Sequence, residues 1–98
     1  MVKDIDQDRL NQIIGRNVKF YRELYNINKS KLTQAKLAEL VDVSTSLIGG
    51  LESEGVNQGI SNLTLLKISN VLEVPIGKFF ETPYIERMSE QYMEEVGQ

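Results

Sequence analysis

Leu32-Thr33-Gln34-Ala35-Lys36-Leu37-Ala38-Glu39-Leu40-Val41-Asp42-Val43-Ser44-Thr45-Ser46-Leu47-Ile48-Gly49-Gly50-Leu51-Glu52-Ser53 is the stretch whose reading decides the fold of this chain. Thr33 is placed to cap the N-terminus of a short helix over Gln34–Val41, because its hydroxyl can accept from a backbone N–H one turn on. Asp42-Val43-Ser44 breaks that helix, and Ser44 caps a second one running to about Ser53. Two helices this short, joined this tightly, must cross closely, so the first needs a small residue at the crossing, and Ala38 supplies it. The turn needs a residue that tolerates positive φ. Asp42 stands there, and Asp is among the non-glycine residues most tolerant of that region. Val43, Ile48 and Leu51 pin the inner face of the second helix, while Ser44, Thr45 and Ser46 stand outward at its N-terminal end.

Helical spacing continues on both sides, and no segment alternates apolar and polar residues as a strand would, so the chain reads as all-α. Upstream, Leu10, Ile14, Val18, Tyr21 and Tyr25 form one stripe, predicting a first helix from about Asp6 to Tyr25. Asp4, Asp6 and Asp8 suit the positive end of its dipole. Asn26 to Lys31 reads as a polar loop. Downstream, Glu54 to Ile60 contains Gly55, Asn57 and Gly59 and reads as a loop. Ser61 caps a fourth helix ending near Leu72, with Leu65, Ile68 and Leu72 inward. Val74-Pro75-Ile76 then restarts the chain, with Pro at the first position of a short fifth helix carrying Phe79 and Phe80. After Pro83, Ile85, Met88, Tyr92 and Val96 are spaced as one apolar face on an otherwise acidic helix. The expected division is a domain over 1–81 and an acidic helical extension over 82–98.

Composition narrows the function. The 98 residues suit one domain. No apolar run approaches the ~18–20 residues of a membrane span, and the opening Met1 to Asp6 has no apolar leader-like core. Cysteine and histidine are both absent. That excludes disulfides and thiolate metal sites, suits a reducing cytoplasm, and removes the commonest general base and metal ligand. With no glycine-rich phosphate loop and no metal-ligand spacing, neither an enzyme nor a cofactor is expected, and no small-molecule effector site is legible. The net charge of −3 divides unevenly. Lys3 against Asp4, Asp6 and Asp8 makes residues 1–8 −2. Nine basic and six acidic residues make 9–80 +3, and Arg87 against Glu81, Glu86, Glu90, Glu94 and Glu95 makes 81–98 −4. A basic body between acidic ends is compatible with a polyanionic partner, since the local field counts rather than the total.

Two short helices with so short a turn constitute a helix-turn-helix. The sequence closely resembles the lambda-repressor-like, or xenobiotic-response-element, helix-turn-helix family. The matching residues are Leu32-Thr33-Gln34, Leu37-Ala38, Val43-Ser44, Ile48, Leu51-Glu52, Thr64-Leu65-Leu66-Lys67-Ile68, Val74-Pro75 and Phe79-Phe80. The resemblance extends over about residues 13–81. It implies a five-helix bundle whose third helix lies in the DNA major groove. By that resemblance Gln34 contacts a phosphate or braces the recognition helix, and Ser44 meets the DNA backbone. Thr45, Ser46 and Gly50 occupy the base-reading face beside Gly49. Ser53, Asn57 and Gln58 meet the sugar-phosphate backbone. Hydroxyls such as those of Thr45 and Ser46 pair with several bases and discriminate less sharply than a bidentate Arg. Residues 16–36 hold Arg16, Lys19, Arg22, Lys29, Lys31 and Lys36 against Glu23 alone, and Lys29, Lys31 and Lys36 are candidate phosphate contacts.

Three departures from the family pattern stand out. Gly49-Gly50 falls inside the recognition helix, at a cost of about 2 kcal/mol relative to alanine. Either the backbone approaches DNA closely there, or the helix reads weakly and relies on neighbours and DNA shape. The loop before Leu32 is longer than usual and either adds a basic contact or is inert. Glu54 stands where the family usually has Gly, with Gly55 one place later, and the loop's path over DNA follows from how that is resolved.

The function these readings imply is a sequence-specific transcription regulator, a repressor in the first instance, binding double-stranded DNA at a palindromic operator as a homodimer. Phe79, Phe80, Ile85, Met88 and Tyr92 are candidate dimer contacts, the alternative for the last stripe being packing on the chain's own core. The alternative function is a protein-interaction or antitoxin-like module whose acidic tail binds a protein partner.

Overall fold

The computed structural model describes residues 6–82. They form α1 (Gln7–Asn28), α2 (Gln34–Leu40), α3 (Thr45–Glu52), α4 (Asn62–Leu72) and a 3-10 helix (Ile76–Phe80), with no strand among them. Each α-helix starts at a side chain that accepts the N–H three residues on. Asp6 takes Arg9, Thr33 takes Lys36, Ser44 takes Leu47 and Ser61 takes Thr64. Each cap satisfies one of the N–H groups that a helix start leaves without an intrahelical partner.

One core lies between these elements. Ile14 and Val18 of α1, Leu37, Ala38 and Val41 at α2, Ile48 and Leu51 of α3, Leu65, Ile68 and Leu72 of α4, and Phe79 form a single buried cluster with Leu32. α1 packs across α3 and the 3-10 helix, and α2 packs on α3. The approach of α1 to α3 is close because Gly15 faces Leu51: a Cβ on Gly15 would lie 1.9 Å from the Leu51 carbonyl oxygen. Phe79 is fully buried and meets Tyr21 edge-to-face, ring centroids 5.5 Å apart.

Two elements differ from the sequence expectation. α1 runs to Asn28, three residues beyond Tyr25. The Asn26 side chain explains the extension: its Nδ2 donates to the Leu32 carbonyl at 3.1 Å while its Oδ1 accepts from the Leu32 N–H. Asn26 thus stays helical and ties down the connection that follows, leaving only residues 29–33 between the helices. The fifth helix is a 3-10 helix rather than an α-helix, with i→i+3 bonds from Lys78 N to Pro75 O (2.9 Å) and from Glu81 N to Lys78 O (3.4 Å). Pro75 is the N-cap of this segment (φ −56°, ψ 136°) rather than the first residue of its first turn. The buried amide of Asn17 donates to the carbonyls of Phe79 (2.8 Å) and Glu81 (2.7 Å), which holds the end of this segment against α1.

Candidate nucleic-acid interface

The turn between α2 and α3 is set by Asp42, whose φ is +60°. With that left-handed residue in place, Val43 N–H reaches back to Ala38 O at 3.0 Å and Asp42 N–H to Glu39 O at 3.3 Å. This is the double closure that ends a helix and turns the chain sharply. Glu73 does the same at the end of α4 with φ +59°, its neighbour Val74 bonding Ser69 O at 3.0 Å. Ala38, 1% exposed, is buried in the core cluster with Ile48 and Leu51 of α3.

α3 divides by face. Ile48, Leu51 and Glu52 are buried, Thr45 and Ser46 are exposed, and Gly49 and Gly50 are half-buried. The buried carboxylate of Glu52 is met by Arg22 of α1 in a two-pronged pair, Nε to Oε2 and Nη2 to Oε1, both 2.8 Å. Arg22 also donates to Leu32 O at 3.1 Å, and Gln34 donates through Nε2 to Glu52 Oε1 at 3.0 Å. The bond to Glu52 holds the Arg22 guanidinium above its ordinary value, against the opposing effect of burial. Three helices are therefore locked together at the C-terminal end of α3. Of the two roles the resemblance implies for Gln34, its hydrogen bond fits the brace.

The loop after α3 is anchored to α1 by a chain of amides. Gln7 donates to Asn11 (2.7 Å), Asn11 to Asn57 (2.8 Å) and Asn57 to Asp8 (2.7 Å). The Asn57 side chain is thus engaged at both ends within the chain. Gln58 donates to Gly59 O at 2.8 Å and lies alongside Gly50. The left-handed residue of this loop is Gly55 (φ +81°), so Glu54 has no need to be glycine; it pairs instead with Arg16 at 3.5 Å. The Ser44 hydroxyl caps α3, and the Ser53 hydroxyl bonds back to Gly49 O at 2.6 Å.

The basic run upstream of α2 is less free than its sequence suggests. Arg16 pairs with Glu54, Arg22 with Glu52, Lys29 with Glu73, and Lys36 with Glu39. Lys29 also lies over the Tyr25 ring. Lys19 and Lys31 form no ion pair among the described residues. A phosphate contact from Lys29 or Lys36 would compete with a carboxylate already in place.

Of the candidate dimer contacts, Phe79 is corrected. It is 0% exposed, filling the core beneath α1, and has no surface to offer a second copy. Phe80 is 47% exposed. Ile85, Met88, Tyr92 and the rest of the extension lie outside the described residues. Sequence reasoning missed the Arg22–Glu52 pair and Gly15. One signal for the pair was present: Glu52 follows Ile48 by one turn, on the inner face, where a charge requires a buried partner.

No described helix is long and apolar enough to cross a membrane, and no described cluster of three or more acidic, histidine or cysteine side chains is placed to hold a metal. The fold and the α2–turn–α3 geometry define a helix-turn-helix DNA-binding domain. A helix-turn-helix family model matches residues 22–79, and the chain belongs to this family of lambda-repressor-like, xenobiotic-response-element-type DNA-binding transcription regulators. A search of curated proteins finds no match.

Proposed function

We propose that the protein is a sequence-specific repressor that places α3 in the DNA major groove and binds a palindromic operator as a homodimer. The observation that carries this reading is the division of α3. Thr45 and Ser46 stand exposed on its outer face, while Ile48, Leu51 and the Arg22–Glu52–Gln34 network hold its inner face to two other helices. A reading helix needs that rigidity, because base contacts discriminate only when held to within a fraction of an ångström. Ser44 is assigned to the phosphate backbone at the start of α3, with Lys36 exchanging Glu39 for a phosphate, and Asn57 and Gln58 at its end, with Ser53 turning its hydroxyl from the Gly49 carbonyl to a phosphate. For Asn57 the backbone N–H serves, since its side chain is occupied. Lys31 is the phosphate contact of the connection before α2. Pairing two copies doubles a contact of only a few base pairs, and Phe80 is the described apolar residue assigned to that contact.

Selection from a random DNA pool at ~150 mM salt, with wild type and the Thr45→Ala/Ser46→Ala variant, tests the proposal. Enrichment of one palindromic site by the wild type, lost in the variant, is the expected result. Weak binding without a preferred site, equal in both proteins, would sink the sequence-specific reading and favour a protein partner.

A further inference from the structure

The glycines of this chain fall into two kinds. Gly15 is required by packing, since its Cβ would meet backbone at 1.9 Å, and Gly55 is required by its φ of +81°. Gly49 and Gly50 are required by neither. A Cβ on Gly49 would meet only Gln34 Oε1, at 3.5 Å. One on Gly50 would meet Gln58 Oε1 at 3.4 Å and its Cβ and Cγ at 3.6 Å. These are ordinary contacts with flexible side chains, and neither glycine has positive φ. Alanine fits the fold at both places, and in a helix of eight residues it would hold the backbone better.

What the glycines change is the outer surface. Gly49 lies one turn beyond Thr45, and Gly50 one turn beyond Ser46. Ser53 follows Gly49 by another turn, its hydroxyl folded onto the Gly49 carbonyl. From Thr45 to Ser53 this face carries no side chain longer than threonine, and its second turn carries none at all. The amides of Gln34 and Gln58 flank the bare turn, one beside each glycine.

We infer that Gly49 and Gly50 form the point of closest approach, where the wall of the DNA groove packs directly on the backbone of α3. The inference rests on the DNA-binding proposal above. The helix then sits deeper in the groove than one bearing side chains at these positions. Its second turn makes no side-chain contact with base edges. Sequence is discriminated by Thr45 and Ser46 and by how readily a site's groove admits the helix, a property of DNA shape.

The test compares Gly49→Ala, Gly50→Ala and the double variant with Gly77→Ala, a control in the 3-10 helix where a Cβ meets nothing within 4 Å. Thermal unfolding of each full chain is measured beside its Kd for the site that the wild type selects. The alanine variants in α3 are expected to melt higher than wild type yet bind at least about tenfold more weakly, with Gly77→Ala binding as wild type. Undiminished binding by the double variant would overturn the inference while leaving the DNA-binding reading intact. A lowered melting temperature in either single variant would also overturn it, because the fold itself would then need the glycine. If the wild type selects no site, the DNA-binding reading falls and the inference falls with it.

Discussion

Replacing Gly15 by alanine sets local and tertiary physics against each other. In an isolated helix the change stabilises by about 1 kcal/mol. In this fold the new Cβ would lie 1.9 Å from the Leu51 carbonyl oxygen and 3.0 Å from its carbon, both backbone atoms that no rotamer change can move. Restoring an ordinary contact of about 3.4 Å pushes α1 from α3 by about 1.5 Å. That displacement opens the packing of Ile14 and Val18 near Ile48 and Leu51, and it pulls the 2.8 Å bonds between Arg22 and Glu52 beyond hydrogen-bond range. Overpacking of this kind costs about 1–3 kcal/mol, and weakening charge-assisted bonds adds about 1–3 kcal/mol. After the helical gain, a net loss of roughly 1–5 kcal/mol remains, a fall in Tm of roughly 5–25 °C for a domain of this size. Thermal unfolding of Gly15→Ala followed by circular dichroism reads this directly. A Tm equal to or above that of wild type would refute the close approach of α1 to α3 and the reasoning built on it.

Arg22→Met strands the Glu52 carboxylate, whose side chain is 1% exposed, and is expected to cost about 3–5 kcal/mol in urea unfolding. Arg22→Met combined with Glu52→Leu should recover most of that loss, and a single variant as stable as wild type would show that the pair does not hold α3. Asp42→Gly relieves the left-handed backbone at φ +60° and, after the extra chain entropy of glycine, should stabilise by about 0.5–1 kcal/mol. Its Tm should rise by a few degrees, and a fall would mean that the Asp42 side chain contributes more than tolerance of the turn.

Much of the fold was legible because it is written in local chemistry. Thr33, Ser44 and Ser61 cap the helices they were expected to cap, and Asp42 takes the positive φ that the turn demanded. Ala38, Ile48 and Leu51 are buried as their spacing required. Local reading failed where a distant group intervened. Asn26, polar and at the end of an apolar stripe, looked like loop, yet its side chain binds Leu32 and the helix carries through it. Phe79 and Phe80 looked equivalent in sequence, but only Phe79 turns under α1, where Asn17 clamps its carbonyl.

The candidate interface divides along the same line. The sequence alone determined where the two short helices lie, which residue turns the chain between them, and that Thr45 and Ser46 face outward. Each of these follows from hydrogen bonds and spacings within about one helical turn. Only the tertiary structure decided that three of the six basic residues upstream, Arg16, Arg22 and Lys29, face carboxylates from elsewhere in the chain. It alone showed that Gly15 is required by packing and Gly49-Gly50 is not, and that Asn57 is spent on anchoring its own loop. Those outcomes depend on which atoms meet across 30 or more positions of chain, as Arg22 meets Glu52, and no local periodicity encodes a meeting at that separation.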